Sequence, residues 1–309
     1  MAKPSDYLKP SLLRQVARLD LRARFIVEGF LAGLHRSPFH GFSVEFSEHR
    51  RYVPGDDLKM IDWNLFARTD RFYVKQFQAE TNVTGFLAMD LSASMGYTRS
   101  QEFTKFEYCI CLAAALAYLM IRQQDPVGVV AFDEKVRHSL EPHAQRKQLG
   151  AILGLLARLQ PTGRTDIRAS LDQIASMVRH RSLIIVLSDL LPPADSPGES
   201  IEQDLEPVLD GLRHLRHRGH DVIVFHVLDQ AEAEFPFEGI AEFEDVESPE
   251  RLVLDARGVK QAYMETLAEY CDRIRQECFR WRADYVRLHT GMPFDKALTS
   301  YLVSRSQRF

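Results

Sequence analysis

From Thr84 to about residue 290, the chain alternates short apolar runs with longer amphipathic segments. Strands that have one face in water alternate apolar and polar residues, whereas a continuous apolar run is typical of a parallel strand buried on both faces. The segments between the runs repeat apolar residues at helical spacing. This alternation predicts an α/β fold with a doubly wound, mostly parallel sheet and helices on both faces. The clearest strand candidates are TGFLAMD, VGVVAF, SLIIVLSD and DVIVFHVLD.

Changes in the residue pattern along the chain divide it into three predicted regions. Residues 1–82 should form an N-terminal helix and a β-rich region, 83–292 the α/β domain, and 293–309 a C-terminal helix or tail. Apolar positions between residues 11 and 34 follow helical spacing and are interleaved with arginines. We expect this helix to pack on the main domain. A basic amphipathic helix that lies on a membrane surface is the alternative.

The bulk composition argues against several classes of protein. Hydrophobic residues make up 45% and charged residues 27% of the 309 positions, as in a soluble globular protein. The formal net charge of -4 does not favour nucleic-acid binding. The sequence has no apolar run of membrane-helix length, no signal-peptide pattern and no metal or disulfide spacing among its four cysteines. We therefore expect a cytoplasmic protein with reduced thiols and no membrane insertion.

Oxygen-bearing side chains follow the first buried strand of the α/β region. Asp90 ends the run GFLAMD, and Ser92 and Ser94 come next on alternate residues, so that the three side chains can converge on one point. Ligands of doubly wound sheets bind at the carboxyl ends of the strands, which is where this loop is expected. An aspartate followed by serines is also the pattern of a helix N-cap, so the loop alone is a weak signal.

Two further oxygen-bearing residues follow in chain order. Thr165 precedes a helix, 75 residues after Asp90, and Asp189 ends the run SLIIVLSD, another 24 residues on. If the three loops stand over the same edge of the sheet, they present only hard oxygen donors, which suit Mg²⁺ or Mn²⁺ rather than a soft metal. The sequence therefore predicts a metal site made of Asp90, Ser92, Ser94, Thr165 and Asp189.

The motifs DLSAS, TGRTD and SD, in this order and at this spacing, resemble the metal-ion-dependent adhesion site of von Willebrand factor type A domains. The resemblance implies that the same five residues surround the ion here. Arg164 stands where that family often has glycine, and its charge would either weaken ion binding or help to bind an acidic ligand. Upstream, RRYVPGDDLKMIDWNLFARTDRFYVKQFQAETN is similar to the signature of the bacterial proteins grouped as domain of unknown function 58.

Members of this second family are commonly encoded beside MoxR-type AAA+ ATPases, and such pairs are thought to act in chaperone-like assembly or maturation. The resemblance implies a metal-dependent protein-binding adaptor rather than an enzyme, with a MoxR-type ATPase and a client protein as partners. The chain has no P-loop sequence, so an ATP-driven step would come from the partner. The alternatives are a magnesium-dependent hydrolase, because oxygen-rich strand-end sites also serve phosphoryl chemistry, and a structural A-like domain without a working metal site.

Two acidic groups have a structural and a functional interpretation. Asp56, Asp57 and Asp62 are typical of turn capping and local salt bridges, with a second metal site as the alternative. The segment 231–250 has eight acidic residues and no lysine or arginine. It is interpreted as a solvated loop or hairpin insertion, with a docking surface for a basic partner as the alternative.

Three histidines recur at every third position in the stretch RHLRHRGHD, namely His214, His217 and His220. This spacing invites a metal-ligand interpretation, but no carboxylate or cysteine accompanies them in register. Basic residues before Gly219 are typical of the last turn of a helix, where they complement the helix dipole. We interpret the stretch as a helix end.

Overall fold

The computed structural model describes residues 18–34, 49–51, 71–75, 83–99, 103–164, 166–191, 200–247 and 250–308. Its helices are α1 (Leu19–Leu34), α2 (Lys105–Arg122), α3 (Arg146–Leu156), α4 (Ile167–Met177), α5 (Ile201–His217), α6 (Gln230–Glu234), α7 (Ala256–Arg280) and α8 (Asp295–Arg308). Its strands are β1 (His49–Arg51), β2 (Tyr73–Lys75), β3 (Gly85–Asp90), β4 (Val127–Phe132), β5 (Val136–His143), β6 (Leu183–Ser188), β7 (Asp221–Leu228), β8 (Ile240–Glu244), β9 (Arg251–Asp255) and β10 (Asp284–His289).

The central sheet of the described residues has six strands in the order β10–β7–β6–β3–β4–β5. Its neighbours pair in parallel, except that β5 runs antiparallel to β4 at one edge. Every position of β3, β4, β6 and β7 is buried, which explains why these strands are continuous apolar runs. The predicted doubly wound, mostly parallel sheet is confirmed.

Successive side chains of each strand enter two different cores, one on each face of the sheet. Leu87 of β3 belongs to the core that α1, α2, α3 and α8 cover, whereas its neighbour Ala88 belongs to the core under α4, α5 and α7. The same division separates Ile185 from Val186 in β6. Helices therefore cover both faces, as predicted.

Helix α1 packs on the main domain, and the expectation that residues 11–34 include such a helix is confirmed for the described part. Ala23, Ile26, Val27 and Phe30 are buried in the same core as the apolar face of α2. The opposite face of α1 is charged, and the structure contains no helix among its described residues that is long and apolar enough to cross a membrane.

The C-terminal segment, predicted as a helix or tail, is helix α8. Ala297, Leu298 and Tyr301 are buried in the core that α1 also covers. Just before the helix, the ring of Phe294 stacks on Tyr108 of α2, with 4.4 Å between the ring centroids. The segment therefore contributes to the main core.

The acidic segment after β7 forms α6 and the β8–β9 hairpin, so its interpretation as a hairpin insertion is confirmed. The two strands pair antiparallel, from Ile240 opposite Asp255 to Glu244 opposite Arg251. Phe235, Phe237 and Phe243 pack against one another beneath the hairpin. This aromatic contact fixes the insertion on α7, because the ring of Tyr263 lies 4.7 Å from that of Phe235.

The interpretation of the histidine stretch as a helix end agrees with the structure. His214 and His217 lie in the last turn of α5, and Gly219 follows with a φ of 87°, a left-handed conformation that favours glycine. The ring of His214 lies 2.6 Å from an Asp172 oxygen in α4, so it ties two helices together.

The four cysteines are free and buried on two helices, Cys109 and Cys111 on α2 and Cys271 and Cys278 on α7. Burial raises the pKa of Cys111 to about 11 and that of Cys278 to about 12. Thiols that stay protonated at neutral pH are poor nucleophiles, so Cys111 and Cys278 fill space in the core.

Several predictions from the first 82 residues fall largely outside the described residues. Asp56, Asp57 and Asp62 are among them, and both interpretations of this acidic group stay open. From the β-rich region the structure describes β1 and β2, which pair antiparallel with His49 opposite Lys75. The boundaries of the three predicted regions stay predictions.

The packing of α1 can be tested by truncating Ile26, which is fully buried. Ile26→Ala should lower the free energy of unfolding by about 2–5 kcal/mol, because it leaves a cavity between α1 and the domain. Arg24→Ala, on the exposed face of the same helix, should cost less than about 1 kcal/mol. Chemical denaturation measures both; equal losses would contradict the packing.

Candidate functional site

The two candidate aspartates lie at the topological switch point of the sheet. Strands β3 and β6 are parallel neighbours, and Asp90 ends β3 while Asp189 directly follows β6. The chain leaves β3 toward helix α2 on one face and leaves β6 toward α5 on the other. Open α/β sheets bind ligands in the crevice at such a point, beyond the carboxyl ends of the strands.

The first loop holds its three predicted donors close together. The carboxylate of Asp90 accepts a 2.8 Å hydrogen bond from the Ser92 N–H and a 2.5 Å hydrogen bond from the Ser188 hydroxyl. The hydroxyl oxygens of Ser92 and Ser94 lie 3.0 Å apart. All four residues are buried, so the sheet and loop fix these oxygens in place.

The second loop lies beside the first through main-chain hydrogen bonds. The Ala93 N–H donates to the Gly163 carbonyl at 2.7 Å, and the Gly163 N–H donates to the Leu91 carbonyl at 3.0 Å. Thr165, the predicted donor of this loop, lies outside the described residues, and its participation stays a prediction. Arg164 is exposed at this edge.

A glycine is required at position 163 because the loop passes close to the end of β4. A Cβ atom added there would lie 2.4 Å from the Cβ of Asp133. Asp133 cannot move aside easily, since its carboxylate pairs with Arg137 and its carbonyl accepts a hydrogen bond from Ser170. The close approach brings the TGRTD loop to the strand-end edge.

The third loop carries Asp189, whose side chain is 1% exposed. One of its oxygens accepts a 2.7 Å hydrogen bond from the ammonium of Lys105, and the other faces the Leu191 N–H at 3.4 Å. Leu190 between them has a φ of 52°, and its carbonyl accepts a 2.5 Å hydrogen bond from the Tyr270 hydroxyl. The left-handed residue turns the chain sharply after β6.

Lys105 and Glu232 belong to the site although the sequence analysis did not single them out. Lys105 is completely buried in the first turn of α2 and donates a second hydrogen bond, of 2.8 Å, to Glu232 of α6. Glu232 lies in the acidic segment that was interpreted as a solvated loop or hairpin insertion, and its carboxylate contacts the buried lysine. One lysine at the start of an apolar helix has no local signal that marks it as functional.

Residues 48–272 match the family described as "Protein of unknown function DUF58". The chain belongs to this family. Uncharacterized proteins of Mycobacterium bovis and Mycobacterium tuberculosis are 28% identical to this DUF58 chain over 247 residues, which cover 79% of it and 73% of each relative.

Two solved structures illustrate the likeness in fold. BatB from Bacteroides thetaiotaomicron has a TM-score of 0.45 and 15% identity over 74% of this chain and 100% of its own. The VWA domain of SpRpn10 has a TM-score of 0.37 and 11% identity over 71% of this chain and 94% of its own. Likenesses at this level carry no conclusion about function.

The electrostatics of the site are dominated by buried negative charge. Burial, together with the nearby Asp189 carboxylate, raises the pKa of Asp90 to about 7. Burial by itself would lower the pKa of Lys105, but the carboxylates of Asp189 and Glu232 outweigh it and raise that pKa. With every group ionised, three carboxylates face one ammonium, which leaves two negative charges without an internal counter-charge.

The donor set is chemically suited to a hard divalent cation. Asp90, Ser92, Ser94 and Asp189 offer carboxylate and hydroxyl oxygens, and a charge of +2 would match the surplus. Among the described residues, no three His, Cys, Asp or Glu side chains form a group that could hold a metal ion. A cation here would therefore depend on the hydroxyls as well as on two carboxylates.

Removal of the buried ammonium should destabilise the fold. Lys105→Met leaves Asp189 and Glu232 buried without their cation, which should lower the free energy of unfolding by about 3–5 kcal/mol. Adding Glu232→Gln should restore part of the loss, because one of the two uncompensated charges disappears. Lys147→Met, at an exposed position, is the matched control in urea denaturation. Equal stability of the two methionine variants would contradict the ion-pair network.

The close approach at Gly163 gives a second test. Gly163→Ala should lower the free energy of unfolding by about 1–3 kcal/mol, because the new methyl group overlaps Asp133. Gly154→Ala, on α3 with no atom within 4 Å of its added Cβ, should be neutral or raise stability by up to about 1 kcal/mol. Thermal unfolding of the two variants measures these changes in stability. If Gly163→Ala is as stable as the native protein, the loop is free to shift.

Proposed function

We propose that this DUF58 protein is a cytoplasmic protein-binding adaptor that contacts its partner through a divalent cation at the strand-end site. The observation that carries the proposal is the presence of Asp90, Ser92, Ser94 and Asp189, all buried, at the switch point. Thr165 is proposed as the fifth donor. A hard cation, Mg²⁺ or Mn²⁺, suits these oxygen donors.

Some side chains would bind the cation, and others orient the ligands. Ser188 and the Ser92 N–H orient the two oxygens of Asp90, and Lys105 orients Asp189. Neutral hydroxyls of Ser92 and Ser94 add ligands without adding charge. When bound, the cation supplies a positive centre to which a carboxylate of the partner can bind.

By family resemblance, the proposed partners are a MoxR-type AAA+ ATPase and a client protein. The adaptor would present the client or dock on the ATPase, which would perform any step driven by ATP. No nucleic acid is involved in this proposal, and the function is binding without catalysis. A docking carboxylate at a metal centre gives such an adaptor a contact that depends on the cation.

A structural A-like domain without a working metal site is the second candidate, and the Lys105–Asp189 pair favours it. The ammonium lies 2.7 Å from an oxygen that the cation would use, so it can act as a resident positive charge. Lysine and metal then compete for Asp189. Only a measurement of metal binding separates an adaptor that uses the cation from a fold stabilised by lysine.

Calorimetric titration with MgCl₂ and MnCl₂ tests the site. The native chain should show saturable binding, and Asp90→Asn should abolish it, because the variant removes a carboxylate ligand without changing side-chain volume. Asp272→Asn, which removes an exposed carboxylate on α7, should bind as the native chain does. Equal heats for native protein and Asp90→Asn would refute the metal site and favour the structural domain.

The partner contact is tested by pull-down of a purified MoxR-type ATPase. Capture should require Mg²⁺ or Mn²⁺, fail with chelator, fail with Asp90→Asn and persist with Asp272→Asn. Capture that ignores chelator and Asp90→Asn would exclude a metal-completed contact. Metal-dependent turnover of a phosphate ester would instead support the hydrolase alternative.

A further inference from the structure

A second concave site lies beside the strand-end loops. It is a cavity of about 940 Å³ between the β8–β9 hairpin and α7, and it reaches Ser94 and Lys105 of the candidate metal site. Ligand-binding cavities have volumes of about 300–1,000 Å³ and are mostly apolar with a few polar groups. The volume is that of a ligand-binding cavity, and Ser94 is the one described donor of the candidate metal site in its lining.

The wall of the cavity is built from packed aromatic rings. Phe235 lies 5.1 Å from Phe237 and 4.7 Å from Tyr263, measured between ring centroids, and Phe243 stacks 6.0 Å from Phe235. The guanidinium of Arg99 lies 4.3 Å from the centroid of Phe237 and ties the wall to the loop after β3. The wall is therefore preformed, and an apolar side chain can enter without reorganising it.

The charges that line the cavity are mostly negative. Lys105 is the basic residue of the lining, and two carboxylates already neutralise it. The lining has five acidic residues: Glu232, Glu242, Glu244, Asp245 and Glu247. Arg251 at the rim pairs with Glu242 and Glu244 at 3.5 and 2.9 Å, which reduces the surplus but does not remove it. An occupant with positive charge would complement this lining.

Apolar side chains of the hairpin are exposed on both of its faces. Leu252 and Val246 line the cavity and are 59% and 51% exposed, whereas Ile240 and Val253 alternate to the opposite face and are 82% and 63% exposed. The hairpin is a separate two-stranded sheet among the described residues, so its strands have edges on which an extended chain can pair. A peptide segment covers such a surface better than a small molecule does.

We propose that this cavity binds an extended segment of a partner protein in which lysine or arginine alternates with apolar residues. The apolar side chains would enter the aromatic wall, and the basic side chains would pair with the hairpin acids. The proposal does not rest on metal binding, because no donor of the candidate metal site other than Ser94 lines the cavity. It adds a basic recognition element to the proposed adaptor.

The probe is a fluorescent eight-residue peptide of alternating leucine and lysine, measured by anisotropy at physiological salt. A leucine–glutamate peptide and a serine–lysine peptide of the same length are the comparators. We expect the leucine–lysine peptide to bind at least about tenfold more tightly than either comparator, a difference of about 1.4 kcal/mol. If the leucine–glutamate peptide binds comparably, the proposed recognition of basic side chains is wrong. If the serine–lysine peptide binds comparably, the proposed recognition of apolar side chains is wrong.

Two pairs of variants test whether the peptide binds in the cavity. Ala262→Trp fills the cavity from an exposed position of α7 and should weaken binding about tenfold, whereas Ala268→Trp, exposed on the same helix outside the cavity, should have no effect. Glu242→Gln with Glu244→Gln should reduce both affinity and its salt dependence. The matched control replaces Glu265 and Glu269, exposed acids of α7 outside the lining, in the same way.

The results distinguish this site from the metal site. Chelator and Asp90→Asn should leave peptide binding unchanged, and Ala262→Trp should leave the Mg²⁺ titration unchanged. Failure of the titration alone would refute the proposed metal contact but not the cavity. Equal peptide affinity for Ala262→Trp and Ala268→Trp would overturn the cavity proposal but not the metal contact.

Discussion

The buried ion pairs of Lys105 hold together the part of the molecule where function is expected. Its ammonium joins the start of α2 to Asp189 after β6 and to Glu232 of α6, through bonds of 2.7 and 2.8 Å. A buried charge is tolerated only when it is paired, so α2, α6 and the loop after β6 must stay in contact in the folded protein. Both the strand-end loops and the hairpin insertion therefore depend on one lysine.

This connection places the two candidate sites next to each other in the structure. Asp189 belongs to the candidate metal site, Glu232 lines the hairpin cavity, and Lys105 contacts both. A cation at Asp189 would compete with the ammonium, whose remaining partner is Glu232. Glu247 adds a second link, since its carboxylate accepts a 3.3 Å hydrogen bond from the Ser94 N–H.

Much of the fold could be predicted because the local pattern and the tertiary environment agree. Strands β3, β4, β6 and β7 are continuous apolar runs since helices cover both faces of the sheet, and β5 alternates since it lies at an edge. The position of the hairpin was harder to predict, because the aromatic contact between Phe235 and Tyr263 that joins the insertion to α7 spans 28 residues of sequence.

The sequence by itself determined the sheet and which oxygen-bearing residues come at its strand ends, since chain order and the parallel topology place Asp90 and Asp189 at one edge. Tertiary structure alone decided what surrounds them. Lys105 lies 84 residues from Asp189 and 127 from Glu232 along the chain, and no periodicity or motif links residues so far apart. Tertiary packing determines this pairing. A buried lysine is stable only when carboxylates from other elements neutralise its charge, so the contacts depend on how α2, α6 and the loop after β6 pack together.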